Sequence, residues 1–327
     1  MNAAPPCNVF YTVDVEMWPP SWDASAADML DAFKRFILGV GTPRHYGLPY
    51  QLELLEAHGL RGVFFVEPLF ASVLGLSALE EVVGLIREAG QDVQLHLHPE
   101  WLGRAGDPRL PGPHRLSMHE LDVQRQTELL RLGAEWLESC GAESVTAFRA
   151  GSFGADRSTL LAVAKAGLKL DSSQSLASPR RAIDPDFPED IGMTTEHVLE
   201  LPLTTYRDVV GARRPLQLGS AGWTEMRQVL EGCAGESRRT AVILSHSAEL
   251  LDGSRQRADR VVIRRLHRLC RFLERRREQF PTVDTEGALD LVPPHRRASG
   301  VARRPLSVGA LASFQRYAAQ GVRRWCV

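Results

Sequence analysis

The chain has 327 residues, with 39 Lys and Arg against 40 Asp and Glu and a formal net charge of −1. That balance removes the electrostatic footprint of a nucleic-acid binder, and 44% hydrophobic with 24% charged residues is the composition of a globular chain, not a disordered one. Cys7, Cys140, Cys233, Cys270 and Cys326 show no CxxC or CxxH spacing, so neither a disulfide framework nor a thiolate zinc site is expected, which fits a reducing compartment. With no basic and apolar leader and no run of ~18 apolar residues, the expectation is a cytoplasmic protein without an integral membrane segment.

In chain order, strand-like apolar runs fall at 9–16, 61–67, 92–98, 145–150, 168–172, 198–204, 241–246 and 281–285. Helical periodicity lies between most of them, at 49–58, 77–89, 117–139, 156–166, 222–234 and 256–279. Ser77 with Glu80 and Ser117 with Glu120 read as capping boxes, and Gly59, Gly90, Gly141 and Gly167 sit where helices should stop. This alternation predicts parallel strands with helical crossovers, as a closed barrel or an open doubly wound sheet. No GxGxxG or GxxxxGK[ST] fingerprint of the open-sheet nucleotide binders is present, which favours an α/β distorted (β/α) barrel of about seven to eight parallel strands over residues 1–291.

The Arg-rich stretch 255–277 carries Val261, Leu266, Leu269, Phe272 and Leu273 at helical spacing, as expected of an amphipathic crossover helix. Residues 292–327 change character to a basic C-terminal extension; counting from Pro281, seven Arg face only Asp284, Glu286 and Asp290. Its end pairs Leu311, Phe314 and Tyr317 with Arg316, Arg323 and Arg324, a pattern that either packs on its own domain or lies peripherally on an anionic membrane.

In parallel α/β folds function gathers at the carboxyl ends of strands. Here those ends read Asp14-Val15-Glu16, His96-Leu97-His98 followed by Pro99, Glu100 and Trp101, then Arg149, and Ser245-His246. Residues i and i+2 of a strand share a face, so Asp14 pairs with Glu16 and His96 with His98. Two imidazoles and a carboxylate suffice to hold a catalytic zinc or similar divalent ion with one position open to water. Each group alone has an ordinary structural explanation; their recurrence at successive strand ends does not.

These residues resemble the polysaccharide deacetylases, carbohydrate esterase family 4 with the NodB homology domain, over roughly residues 9–290. Thr12-Val13-Asp14-Val15-Glu16 stands where the family has T-F-D-D-G. Asp92-Val93-Gln94-Leu95-His96 is similar to the strand that opens its H-[ST]-x-x-H motif, Phe148-Arg149-Ala150-Gly151-Ser152 matches a third motif in its Arg, and Leu244-Ser245-His246 matches the late Leu-x-His. Asp171-Ser172-Ser173 looks like the stretch after the third motif. The chain departs from the family at Val15, which replaces a ligand Asp, and at Glu100, which stands four residues after His96 in place of a His.

The resemblance implies removal of an acetyl group from an N-acetylated saccharide by a divalent metal, zinc being the expectation. Asp14 would be the base, Arg149 its orienting partner and His246 the acid. Glu16 would take over from Val15 as a ligand beside His96. His98 or Glu100 would be the third, with His98 preferred because Pro99 redirects the chain. Trp101 and Ser152 would contact the substrate, and Trp18 and Trp22 could stack on sugar rings. Oligomeric state is not readable from the sequence.

Two other readings compete. Ala150-Gly151-Ser152-Phe153-Gly154 approximates a G-x-S-x-G nucleophile elbow, which with Asp190 or Asp208 and then His246 would make a serine hydrolase. A degenerate site would instead leave a non-catalytic carbohydrate-binding module.

Overall fold

The computed structural model describes residues 6–19, 21, 24–104, 107–112, 117–178, 190–236, 238, 240–253, 256–292 and 305–325. In chain order its elements are β1 (Asn8–Val15), α1 (Ala26–Phe36), α2 (Leu48–Ala57), β2 (Gly62–Val66), α3 (Ala71–Leu74), α4 (Leu76–Glu88), β3 (Asp92–Leu97), α5 (Val123–Ser139), β4 (Ala147–Ala150), α6 (Arg157–Ala166), β5 (Leu170–Asp171) and β6 (Gly192–Met193). There follow β7 (Leu199–Glu200), β8 (Thr205–Arg207), β9 (Arg213–Pro215), α7 (Trp223–Gly235), β10 (Thr240–His246), α8 (Arg260–Arg275), α9 (Thr285–Leu291), β11 (Leu306–Ser307) and α10 (Ala310–Trp325).

The main sheet runs β10-β1-β2-β3-β4-β5-β7-β6, every neighbouring pair parallel except β6 with β7. It curls into a distorted barrel because strand and helix alternate, and each crossover lays its helix on the outer face. The gap between β7 and β10 is bridged by irregular chain: Thr204 N donates to Val242 O and Leu216 N to Thr204 O, while Leu218 N and Leu244 N bond back and forth between Leu244 and Leu216. Side chains alternate across each strand. Phe10, Val63, Phe65, Ala147, Leu170 and Leu244 fill the interior, and Val9, Tyr11, Val13, Phe64 and Val66 pack outward under the helices. Burial on both faces is why the strands read as near-continuous apolar runs.

Several local expectations are corrected. Residues 281–285 form no sheet strand: Thr282 makes one isolated bridge to Val9, and Asp284 then caps α9 by accepting from Gly287 N. Ser77 lies inside α4, and Ser117 precedes a 3-10 turn, whereas the cap of α5 is Asp122, which accepts from Arg125 N at 2.8 Å. The four helix-stop glycines all adopt positive φ, between 60° and 102°. The short strands β6, β8, β9 and β11 and the helices α1, α3, α9 and α10 were not marked by the sequence patterns. The described part of the C-terminal extension packs on the barrel: β11 pairs with β8, and α10 lies on α7. Cys326 falls outside the described residues.

Candidate active site

The strand ends β1, β3, β4 and β10 converge as the alternation predicts. His96 and His98 leave β3 on the same face, and their Nε2 atoms approach to 3.1 Å. Glu16, one residue beyond β1, inserts its carboxylate between them, with Oε2 2.6 Å from His98 Nε2 and 3.3 Å from His96 Nε2. Glu16, His96 and His98 are thus a cluster whose ligand atoms all lie within 4.8 Å of one another. Both imidazoles are buried and held from behind. His96 Nδ1 donates to the Arg149 carbonyl at 2.8 Å and His98 Nδ1 to Glu100 Oε2 at 3.2 Å, which turns both Nε2 atoms toward Glu16. Glu100 therefore stands behind His98 instead of alongside it.

The packing around this cluster is close. A Cβ on Gly151 would lie 2.5 Å from His98 Nδ1, so glycine there is what lets the end of β4 approach the ring. Trp18 stands edge-on to His98, 4.7 Å between centroids, and donates its indole N–H to Glu16 Oε1 at 3.3 Å. In the chain alone, burial disfavours charge on His98, but Glu16 and Glu100 outweigh it and push the imidazole up to about 10.

Arg149 crosses the barrel interior with no solvent exposure. Its Nη1 donates to Asp14 Oδ1 at 2.6 Å and to Thr12 Oγ1 at 3.0 Å, its Nε and Nη2 donate to Ser172 O and Oγ, and it rests 4.2 Å from the Phe65 ring centroid. Asp14 Oδ2 accepts no hydrogen bond among the described residues. Beyond Ser172, Asp171 and Glu200 are buried opposite each other on β5 and β7, and burial pushes both carboxyls up, Glu200 well above the usual range.

His246, at the end of β10, places Nε2 4.0 Å from Glu16 Oε1, whereas the β3 histidines meet Oε2, and its Nδ1 donates to Glu249 Oε2 at 2.6 Å. Gln217 donates to both oxygens of Glu249 at 3.2 Å. Gln51 of α2, fully buried, donates to the His246 carbonyl at 2.9 Å and ties this strand end in place. Burial lowers the His246 imidazole, but the Glu249 hydrogen bond and charge, helped by Glu16 and Asp14, push it up to about 9.

Four groups at the site escaped the sequence reading: Gln51, Gln217, Glu249 and Glu67. Glu67 follows β2, accepts from Leu69 N and Phe70 N, and is pushed by burial up to about 8 despite the nearby His98 charge. Two of them had a local signal: Glu249 stands three residues after His246, and Glu67 ends the strand-like run 61–67.

Trp101 is 2% exposed and packed in the hydrophobic core, so it offers no ring face to a sugar. Ser152 is half-buried at φ 53°, in a 3-10 turn. It makes no hydrogen bond with His246 among the described residues. Of the acids a serine triad would need, Asp190 accepts from Thr240 Oγ1 and Asp208 pairs with Arg316, so that triad is not assembled. Trp22 lies outside the described residues. A cavity of about 530 Å³ at the opposite end of the barrel, lined by Arg61, Asp92 and Asp284, contains none of the strand-end groups.

No family model and no curated protein matches the sequence. Among solved structures, a Mycobacterium smegmatis protein described as a candidate polysaccharide deacetylase is similar at TM-score 0.61 and 17% identity, over 93% of this chain and 96% of that one. A 4-alpha-glucanotransferase from Thermococcus litoralis is similar at TM-score 0.55 and 8% identity, over 89% of this chain and 41% of that one. A family 4 carbohydrate esterase from Streptomyces lividans aligns over 90% of this chain and 97% of its own at 12% identity, but its TM-score of 0.42 is too low to bear on the fold. No helix among the described residues is long and apolar enough to cross a membrane. Likeness at these identities concerns the fold, and the chain carries the α/β distorted-barrel fold of the polysaccharide deacetylase structure.

Proposed function

We propose that the chain is a divergent member of the polysaccharide deacetylases and a metal-dependent hydrolase that removes the acetyl group from an N-acetylated saccharide. The observation that carries this reading is the convergence of Glu16, His96 and His98. Two histidines and one carboxylate make a donor set that leaves a position open, as catalytic zinc sites do. Ligand bonds of about 2.0–2.1 Å at tetrahedral angles set donors roughly 3.3 Å apart, so the separations of 2.6–3.3 Å need only small adjustment. The carbonyl of Arg149 and the carboxylate of Glu100 already orient both imidazoles. Glu16 thereby fills the place left by Val15. A divalent metal bound there, with zinc the expectation, would polarise the acetyl carbonyl and acidify a water.

The protein's own groups move the protons. Asp14, held through Oδ1 by Arg149, keeps Oδ2 for the proton of the attacking water. Arg149 fixes that carboxylate in direction, and Thr12 and Ser172 fix Arg149 in turn. His246, with Nδ1 on Glu249, offers the proton on Nε2 to the departing amine, a poor leaving group unless protonated. Its elevated pKa keeps that proton in place at neutral pH. Ser152 and the half-buried Trp18 are the candidate sugar contacts.

The test is elemental analysis of the purified protein and of His96→Ala, together with acetate release from N-acetylated oligosaccharides. Near-stoichiometric divalent metal and acetate release, both lost in His96→Ala, is the expected result. A chain that binds no metal when zinc or cobalt is supplied, or a His96→Ala variant that releases acetate normally, overturns the proposal.

A further inference from the structure

From residue 293 onward the sequence holds seven arginines and no acidic residue. Where this segment forms α10, its faces divide. Ala312, Ser313 and Arg316 are buried, whereas Leu311, Phe314 and Tyr317 are 70%, 72% and 45% exposed. The turn between β8 and β9 lies alongside: Val209 N donates to Ser313 Oγ, and Asp208 accepts from Arg316 at 3.0 Å. That turn carries Val209 and Val210, 50% and 73% exposed. Two elements distant in sequence and bonded to each other thus both carry uncovered apolar side chains, and exposed apolar patches on soluble proteins mark interaction sites.

The other flank of α10 is basic. A cavity of about 430 Å³ between α7, α8 and α10 is lined by Arg264, Arg268, Thr224 and Gln315. Arg264 and Arg268 are exposed and have no acidic partner among the described residues. Asp208 and Glu225, which meet Arg316 under α10, are buried and already bonded to it. An apolar stripe with exposed arginines beside it is the pattern of a helix lying in a lipid interface.

We propose that this face is a peripheral docking surface for an anionic phospholipid bilayer, with Leu311, Phe314 and Val210 entering the acyl boundary and Arg264 and Arg268 meeting headgroup phosphates. Charge decides among occupants. A second copy of the chain would set the same unpaired arginines against each other, and a nucleic acid would leave the apolar side chains in water. The proposal is independent of the chemistry at the strand ends.

The test is cosedimentation of the full chain with vesicles of phosphatidylglycerol and phosphatidylcholine, against vesicles of phosphatidylcholine alone. The mixed vesicles are expected to retain the protein and the neutral ones to release it, with added salt weakening retention. Leu311→Asp combined with Phe314→Asp should lower partitioning about tenfold or more while the thermal unfolding curve stays in place. Arg264→Ser with Arg268→Ser should remove the preference for the anionic lipid. Equal retention by both vesicle types, or no effect of the apolar double substitution, overturns the proposal. So does light scattering that shows a dimer dissociated by that substitution, which would assign the face to a second copy.

Discussion

Two of the buried arginines in this molecule, Arg149 and Arg316, face carboxylates in different surroundings. Arg149 in the barrel bonds one oxygen of Asp14 and leaves the other without a partner among the described residues. Arg316 beneath the C-terminal helix meets carboxylates whose oxygens are all occupied. Glu225 accepts from Arg316, Gly222 N and Tyr206, and Asp208 accepts from Arg316, Val210 N, Ala212 N and Tyr317. A saturated carboxylate holds structure, whereas one oriented through a single oxygen has the other free to accept a proton. Under the proposed mechanism the surroundings of the pair, not the pairing itself, separate proton transfer from clamping.

The comparison breaks if equivalent substitutions at the two pairs behave alike. Asp14→Asn should reduce turnover by about 10²–10⁴ with bound metal retained, measured as acetate release alongside elemental analysis. Arg316→Met should instead strand Asp208 and Glu225 in the interior and cost about 3–5 kcal/mol of stability in urea denaturation, with turnover per folded molecule unchanged. A normal unfolding midpoint for Arg316→Met, or wild-type turnover for Asp14→Asn, would remove the distinction. A smaller effect is expected at Glu100, which touches His98 but not Glu16: Glu100→Gln should weaken metal affinity by about 10–100-fold, read by competition with a chelating dye. If Glu100 were itself the ligand, the loss would match that of His98→Ala.

The site was legible where a strand made it so. The period of two places Asp14 with Glu16 and His96 with His98 whatever the rest of the chain does, and the same regularity gave the barrel. The orienting groups were not legible because tertiary closure alone brings them in. Gln51 lies on a helix 195 positions before the His246 carbonyl it holds, and Gln217 arrives on the irregular chain that bridges β7 to β10. Trp101 misled because adjacency to a motif says nothing about side-chain direction once a 3-10 turn intervenes. The short strands β8 and β9 and the helix α10 were missed for a related reason: brief, Arg-rich elements gain their structure from Asp208 and Glu225 elsewhere in the chain.

The same reasoning extends to His246, whose partner Glu249 was among the missed groups. Its folded pKa of about 9 lies above the ordinary value of about 6.5. The stabilisation from this imidazolium is therefore complete below about pH 6.5 and lost as pH rises through about 9. If His246 delivers its proton to the leaving amine, turnover should hold through neutral pH and fall on the alkaline side as that proton is lost. Glu249→Gln removes the leading cause of the upward shift but keeps the shape, so the alkaline limb should move toward neutral pH while metal content is unchanged. An alkaline limb that stays in place in Glu249→Gln would separate His246 from the proton transfer and leave Glu249 a packing group of the same kind as Glu225.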